Sequence, residues 1–199
     1  IALVGIFFFF FVFIALAGMD VGTAFGSLGA RREMLIGFLA EPALLMVFFT
    51  ASLISQSTSL STIVETFARR EFTIYPSLAF AGVAFTMVSL AENARVPVDN
   101  PTTHLELTMI HEAMILEYSG RHLAFIEWSA ALKLYVYSCL GLALFFPWGV
   151  PQGADFVNLP LALVSLLFKL AIGGALLALI ETLSANMRIF RAPPFLGPA

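Results

Sequence analysis

The chain alternates between long apolar stretches and short polar segments. Five stretches can each supply the ~20 helical residues that cross a hydrocarbon core, and they fall at residues 1–17, 35–54, 75–92, 122–146 and 161–186. The segments at 18–34 and 55–74 are rich in Gly, Ser and Thr, and residues 147–160 are broken by Pro and Gly, as expected of loops. The Phe run at 7–11 is expected to face lipid. The pattern predicts an all-α transmembrane helix bundle with about five spans.

One polar segment, residues 91–120, interrupts this pattern with the sequence AENARVPVDNPTTHLELTMIHEAMILEYSG. Residues 104–118 within it are too short and too charged to form a sixth span. If they remain on one side, the arginines of the short loops face the cytoplasm, as the positive-inside rule requires: Arg31, Arg32, Arg95, Arg121, Arg188 and Arg191. We therefore predict that residues 92–121 form an acidic cytoplasmic loop with a short helix.

The composition agrees with a membrane protein. Hydrophobic residues make up 60% of the 199 residues and charged residues 12%, and the mean hydropathy is +0.94, whereas soluble domains are about 45–50% apolar. A net charge of −3 and scattered basic residues exclude a nucleic-acid-binding surface. Because the chain starts at Ile1 without an initiator Met and stops shortly after a basic cluster, we expect one transmembrane domain over 1–199, truncated at both ends.

No catalytic or metal site is predicted within the chain. Its one cysteine, Cys139, cannot form an internal disulfide or hold an iron–sulfur cluster alone. The run HEAMI begins like the HExxH zinc motif, but Ile115 stands where the second His is required. The sequence also lacks nucleophile motifs and phosphate-binding loops, so any redox cofactor is expected in another subunit.

Charged residues inside the predicted spans are informative, because a charge at the bilayer centre costs about 2.5–3.5 kcal/mol and usually faces protein or water. Counting about 1.5 Å per residue from the cytoplasmic side places Glu41, Glu127 and Glu181 in one layer about 8–10 Å deep. The same count puts Lys133 and Lys169 near the midplane. Close carboxylates cannot all be ionised at low cost, which suits a proton relay. The alternative is a structural ion pair, such as Glu181 with a loop arginine.

The polar loop carries a family resemblance. It contains the run AENARVPVDNP, with Glu92, Arg95 and Asp99, followed by LEYSG with Glu117. These residues resemble the signature loop of the complex I subunit that forms the floor of the quinone chamber, known as subunit 1 or H. They also resemble the corresponding subunit of group 4 membrane-bound nickel-iron hydrogenases.

Three residues in neighbouring spans extend the resemblance over about residues 20–191: Arg32, Glu41 and Glu127. The family fold has eight transmembrane helices, of which this chain looks like helices three to seven. Its loop is longer and richer in His and Met than the respiratory form. This difference favours the hydrogenase branch of the family, typified by formate hydrogenlyase.

The resemblance implies a non-catalytic membrane-anchor and proton-coupling subunit of an oxidoreductase complex in the prokaryotic cytoplasmic membrane. The implied partners are the hydrogenase large and small subunits, the iron–sulfur subunits of a peripheral arm, antiporter-like membrane subunits and lipid. The nickel-iron centre and iron–sulfur clusters would belong to those partners. Together with the depth count, this interpretation gives the expected proton-path residues as Glu41, Glu92, Asp99, Glu106, Glu112, Glu117, Glu127, Glu181, Lys133 and Lys169. Arg32 and Arg95 are expected to hold nearby carboxylates ionised.

Two other functions fit the same fold. In the first, the chamber binds a quinone, and the complex is a quinone reductase of the complex I type. In the second, the acidic groups only dock the peripheral arm, and the chain is a passive membrane scaffold. Quinone reduction without hydrogen production would identify the first. Ion pumping that survives glutamate-to-glutamine substitutions would identify the second.

Overall fold

The computed structural model describes residues 2–69, 76–95, 99, 110–149 and 159–183. These residues form seven α-helices and no strand, in the order α1 (Ala2–Asp20), α2 (Ala24–Ser55), α3 (Leu60–Arg69), α4 (Pro76–Glu92), α5 (His111–Ile115), α6 (Gly120–Phe145) and α7 (Leu159–Leu183). Helices α2, α6 and α7 are long and apolar enough to cross a membrane, and α1 and α4 are shorter apolar helices. The described part of the chain is therefore the all-α membrane helix bundle that the hydropathy pattern predicts.

The apolar helices run alternately up and down between two ends of the bundle. The loop end, as we call it, contains the α1–α2 turn, the end of α4, the short helix α5, the start of α6 and the end of α7; the far end contains α3. Two contacts tie the loop end together. The Tyr118 hydroxyl donates to the Ala17 carbonyl at 3.0 Å, and Arg95 pairs with Glu181 at 3.4 Å. Helix α5 has only five residues and stays at the loop end.

Residues 24–34, predicted as loop, are helical. Helix α2 has 32 residues, about 48 Å at 1.5 Å per residue, so it extends well beyond a hydrocarbon core of ~30 Å. The Thr23 side chain caps its first turn by accepting from the Gly26 N–H at 3.1 Å. The glycines that indicated a loop are packing positions: a Cβ on Gly29 would lie 2.8 Å from the Ile110 carbonyl oxygen. Tertiary packing has overridden their low helix propensity.

The segment at 55–74, also predicted as loop, contains the amphipathic helix α3. Ile63 is buried, and Leu60 packs against the same core. Glu65 and Arg69, one turn apart, form an ion pair on the exposed face. The 3.6-residue period of a helix separates these two faces. Helix α3 contacts α2 and α6 and covers the far end of the bundle.

Helix α2 is the centre of the bundle, because it packs against α1, α4 and α5. Its buried face is a stripe of small and apolar residues that includes one carboxylate, Glu33. The stripe consists of Gly26, Gly29, Ala30, Glu33, Ile36, Gly37, Ala40, Ala43, Leu44, Val47 and Ala51. Small side chains along this stripe let the neighbouring helices approach closely, as is usual between helices in membranes.

The Phe run at 7–11 faces lipid only in part. Phe7 and Phe11 are buried, whereas Phe8 and Phe9 are exposed. Successive helical residues are about 100° apart, so consecutive rings surround the helix axis and cannot share one environment. The Phe10 ring lies at the loop-end site described below.

Candidate functional site

A buried ion pair joins α4 to α6 near the loop end. Nζ of Lys133 lies 2.8 Å from Oε2 of Glu92, and the two side chains are 7% and 5% exposed. The same ammonium donates to the Glu92 backbone carbonyl at 2.6 Å. The Phe10 ring centroid lies 5.3 Å from Nζ and adds a cation–π contact. Lys133 is therefore held by a carboxylate, a carbonyl and an aromatic face.

The C-terminus of α4 places Glu92 at this position. Ala94 has a left-handed backbone with φ 49, and the N–H groups of Ala94 and Arg95 donate to the carbonyls of Ala91 and Leu90 at 3.3 and 3.0 Å. This pattern is a Schellman C-cap. The last helical carbonyl, that of Glu92, accepts from the lysine ammonium instead. The end of α4 is thus closed by a local turn and by a side chain from α6.

Helix α6 supplies Lys133 from its buried face. Lys133, Tyr137, Leu140 and Leu144 are its buried residues, and their spacing places them on one side of a helix. The Tyr137 ring stacks on Phe7 with centroids 4.5 Å apart. This face therefore points into the bundle, and the lysine points with it.

Two further carboxylates surround the ion pair. Glu33, on the buried stripe of α2, is 8% exposed and interacts electrostatically with Lys133, Glu92 and Asp99. Glu41, two turns further along α2, interacts with Glu92 and Lys133. We call Glu33, Glu41, Glu92 and Lys133 the charge cluster. The cluster thus combines three carboxylates with one ammonium.

A cavity of about 50 Å³ opens beside the charge cluster, between α1, α2, α4, α5 and α6. Its lining includes five polar side chains from four segments of the chain, those of Glu33, Glu92, Asn93, His111 and Lys133. The apolar residues Phe10, Ile14, Ala94 and Ala130 complete the lining. Oε1 of Glu92 and Oδ1 of Asn93 are buried without a hydrogen-bond partner among the described residues. A polar cavity of this size accommodates one or two water molecules, at about 30 Å³ each.

Asp99 fixes α5 against the bundle. The Asp99 side chain is 2% exposed, and its Oδ1 and Oδ2 accept from the N–H groups of Ile110 and His111 at 3.2 and 2.9 Å. Met114 packs where Gly18 and Gly29 leave room for it. Asp99 therefore joins the two parts of the polar loop at the point where the loop meets the membrane helices.

His111 is the residue of α5 that reaches the cavity. Burial lowers the pKa of its imidazole, and the nearby positive charge of Lys133 lowers this pKa further. Since the ordinary value is about 6.5, the imidazole is neutral at pH 7. A neutral imidazole has one N–H donor and one nitrogen acceptor.

The structure brings together only some of the predicted site residues. Glu41, Glu92 and Lys133 belong to the charge cluster, and Asp99 interacts with it. Glu112 is half-buried on α5 and Glu117 is exposed after it. Arg32 is half-buried near the start of α2. Glu106, His104, Arg188 and Arg191 lie outside the described residues.

Glu127 and Glu181, predicted to share a layer with Glu41, do not belong to the charge cluster. Glu127 is exposed, because it lies six residues before Lys133 and hence about 120° away around α6. Glu181 pairs with Arg95, the side chains being 27% and 40% exposed. This is the structural ion pair considered as the alternative for Glu181.

Lys169 also departs from its predicted place. It is buried, but its ammonium donates to the carbonyls of Phe146 and Trp148 and lies 4.3 Å from the Trp148 ring centroid. Phe146 is thirteen residues beyond Lys133, or about 20 Å along α6. Lys169 therefore caps the far end of α6, and the two lysines do not share a layer.

Sequence reasoning missed Glu33, Tyr137 and the position of His111 in the cavity. Glu33 has a recognisable signal, since it interrupts a stripe of small residues spaced for one helix face. Tyr137 has one too, because it lies one turn beyond Lys133 on the same face. His111 has none, because its place depends on how the loop folds back.

Comparison with known proteins agrees with this architecture. The sequence profile of the NADH dehydrogenase family matches residues 1–196. Formate hydrogenlyase subunit 4 of Escherichia coli (strain K12) is 32% identical over 181 residues, which cover 91% of this chain and 58% of that protein. Hydrogenase-4 component C of the same organism is 34% identical over 191 residues, which cover 94% of this chain and 58% of that protein.

The chain spans less than two thirds of the length of either relative. Its apolar helices and these membrane-subunit relatives make it a multi-pass membrane protein. The names of both relatives come from the hydrogenase branch that the polar loop favours. The chain therefore belongs to the NADH dehydrogenase family, which confirms the resemblance to complex I subunit 1 that its loop motif carries.

Proposed function

We propose that this chain is the membrane-anchor and coupling subunit of a membrane-bound nickel-iron hydrogenase complex related to complex I. The observation that carries the proposal is the charge cluster, in which the buried Lys133–Glu92 pair lies against the polar loop. Both E. coli relatives are components of hydrogenase or formate hydrogenlyase by name. A scaffold alone has no need of three carboxylates around one buried ammonium.

The proposed partners are the hydrogenase large and small subunits and the iron–sulfur subunits of a peripheral arm, which bind the polar loop. Their nickel-iron centre and iron–sulfur clusters supply electron transfer and proton reduction. Antiporter-like subunits contact the membrane helices. The topology supports this arrangement, since Arg31, Arg32, Arg95 and Arg121 all lie at the loop end. By the positive-inside rule, that end faces the cytoplasm of a prokaryotic cell.

The coupling step in this chain is a change of charge at the loop end. Asp99 interacts electrostatically with Glu33 and also holds α5 by two hydrogen bonds. A shift of the loop that moves Asp99 therefore changes the cost of ionising Glu33. The charge cluster responds by taking up or releasing a proton, and Glu41 extends the response into the membrane span.

The test compares Lys133→Met with Lys169→Met in native membrane vesicles that contain the whole complex. Both substitutions remove a buried lysine, but only Lys133 belongs to the charge cluster. We expect Lys133→Met to retain hydrogen evolution from a reduced low-potential dye while losing most proton translocation, and Lys169→Met to retain both. The measured quantities are hydrogen release and vesicle acidification.

Removing one partner of a buried ion pair can impair folding, so the double variant Glu92→Gln/Lys133→Met is measured as well. It leaves neither member of the buried pair without its partner and should assemble normally, yet remain uncoupled. An unchanged ratio of protons to hydrogen in the single and double variants would identify a passive scaffold. Quinone reduction without hydrogen evolution by the unaltered complex would instead identify a quinone reductase.

A further inference from the structure

We propose that His111 is the relay residue that passes protons between the polar loop and the charge cluster, through water held in the adjoining cavity. This inference rests on the proposed function and deepens it by naming the entry point to the cluster. Among the described residues of α5, His111 is the one that lines the cavity.

The backbone of His111 is fixed at the start of α5. Asp99 accepts a hydrogen bond from the His111 N–H at 2.9 Å, so the residue is tied at the first turn of α5. Met114 fills the space left by Gly18 and Gly29, and Tyr118 ties the end of this segment to α1. The backbone around α5 is thus fixed on both sides, and His111 lines the cavity.

The cavity supplies the connection to the charge cluster. His111, Glu33 and Glu92 line the same space of about 50 Å³. The buried Oε1 of Glu92 and Oδ1 of Asn93 have no hydrogen-bond partner among the described residues, and such acceptors are usually satisfied by water. Water bound there would bridge the imidazole to a carboxylate.

The proposed proton transfer needs only His111, cavity water and one carboxylate. The neutral imidazole accepts a proton from the loop side on one ring nitrogen and releases the proton of the other nitrogen to cavity water. That water passes a proton to the Glu33 or Glu92 carboxylate, which becomes neutral. Tautomer exchange returns the imidazole to its starting form. The lowered pKa of His111 favours release, because the imidazolium is a stronger acid than usual.

The charged groups that line the cavity beside His111 come from three helices. Glu33 approaches from α2, Glu92 from α4 and Lys133 from α6, while α1 contributes only Phe10 and Ile14 to the cavity. Asp99 holds the His111 backbone, and Glu112 follows in α5. The positive charge of Lys133 disfavours the protonated imidazole, and the Glu33 and Glu92 carboxylates can accept the released proton.

The experiment uses vesicles that contain the whole complex and compares His111→Gln with the control His122→Gln. His122 is exposed at the start of α6 and lies outside the cavity. Proton transfer by a positioned side chain typically contributes about 10²–10⁴-fold, so we expect His111→Gln to slow proton translocation by at least about tenfold and to flatten its pH profile. His122→Gln should behave like the unaltered complex. His111→Glu, which can also carry a proton, should restore part of the rate.

Several results would overturn the inference. A normal rate and pH profile in His111→Gln would exclude the relay, and if Lys133→Met were uncoupled in the same vesicles, the proposed function would still stand. Equal losses in His111→Gln and His111→Glu, accompanied by poor assembly, would show that His111 is only structural. Full coupling in Lys133→Met would refute the proposed function itself.

Discussion

At the scale of single residues, the site depends on which side of a helix a charged group occupies. Lys133 and Glu127 are six residues apart on α6, yet one is buried in the charge cluster and the other is exposed. The position of each residue along the axis of α6 was predictable from residue counts. Rotation about the axis was not, because it depends on which neighbouring helices pack against α6. The buried row of Tyr137, Leu140 and Leu144 was the available signal.

Ala94 offers a prediction at this scale. Its φ of 49 lies in the left-handed region, which costs an L-residue with a Cβ about 1–2 kcal/mol. We expect Ala94→Gly to raise the free energy of unfolding by about 1 kcal/mol, since glycine adopts this conformation without steric strain. Denaturant titration in mixed micelles measures the change.

The matched control is Ala91→Gly, one turn earlier in the same helix. Ala91 is buried and helical, so this substitution should lower stability by about 1 kcal/mol or more. If both substitutions lowered stability, the left-handed cap at the end of α4 would be refuted.

At the scale of the elements, the short helix α5 is defined more by its contacts than by its sequence. Five residues are too few for an isolated helix to be stable in water. The N–H groups of Ile110 and His111 donate hydrogen bonds to Asp99. The Met114 side chain of α5 packs against Gly18 of α1 and Gly29 of α2. The sequence predicted a short helix between 104 and 118 but not its docking. The docking depends on Gly18 and Gly29, which composition alone marks as loop residues.

The docking of α5 should weaken in acid. A histidine whose pKa is lowered by folding binds fewer protons in the docked state than in the undocked state. Docking is therefore strongest above the ordinary pKa of about 6.5 and weakens as the pH falls from there through the lowered pKa. Hydrogen exchange at the amides of Ile110 and His111, corrected for intrinsic rates, measures this dependence.

The variant His111→Gln separates this effect from the titration of nearby acids. It cannot be protonated, so its amide protection should stay constant over the same pH interval. Equal pH dependence in the variant and the unaltered chain would assign the effect to Glu33, Glu92 or Asp99 instead.

At the scale of the whole molecule, α7 is held by a few polar contacts. Arg95 pairs with Glu181 at the loop end, and Lys169, near the middle of α7, binds the carbonyls beyond the end of α6. Most of the large apolar side chains of α7 are exposed. The five apolar helices were predictable because membrane thickness fixes their length. The electrostatic contacts that set their order in space were not, because each joins residues distant in the sequence.

The topology yields a prediction for the whole chain. With Cys139 replaced by Ser, single cysteines are introduced by Glu117→Cys and Ser61→Cys, both at exposed positions. In membranes without the peripheral subunits, an impermeant maleimide should label Glu117→Cys only from the cytoplasmic side and Ser61→Cys only from the opposite side. Labelling of both from one side would contradict the alternation of helices between the loop end and the far end.

Lys133 makes two different contacts with the end of α4. One ammonium both neutralises the Glu92 carboxylate and binds the last carbonyl of the helix that carries it. Under the proposed function, a proton that moved onto Glu92 would weaken the electrostatic hold on Lys133 and, with it, the hydrogen bond to the Glu92 carbonyl. A change of charge and a change at the end of α4 would then occur together.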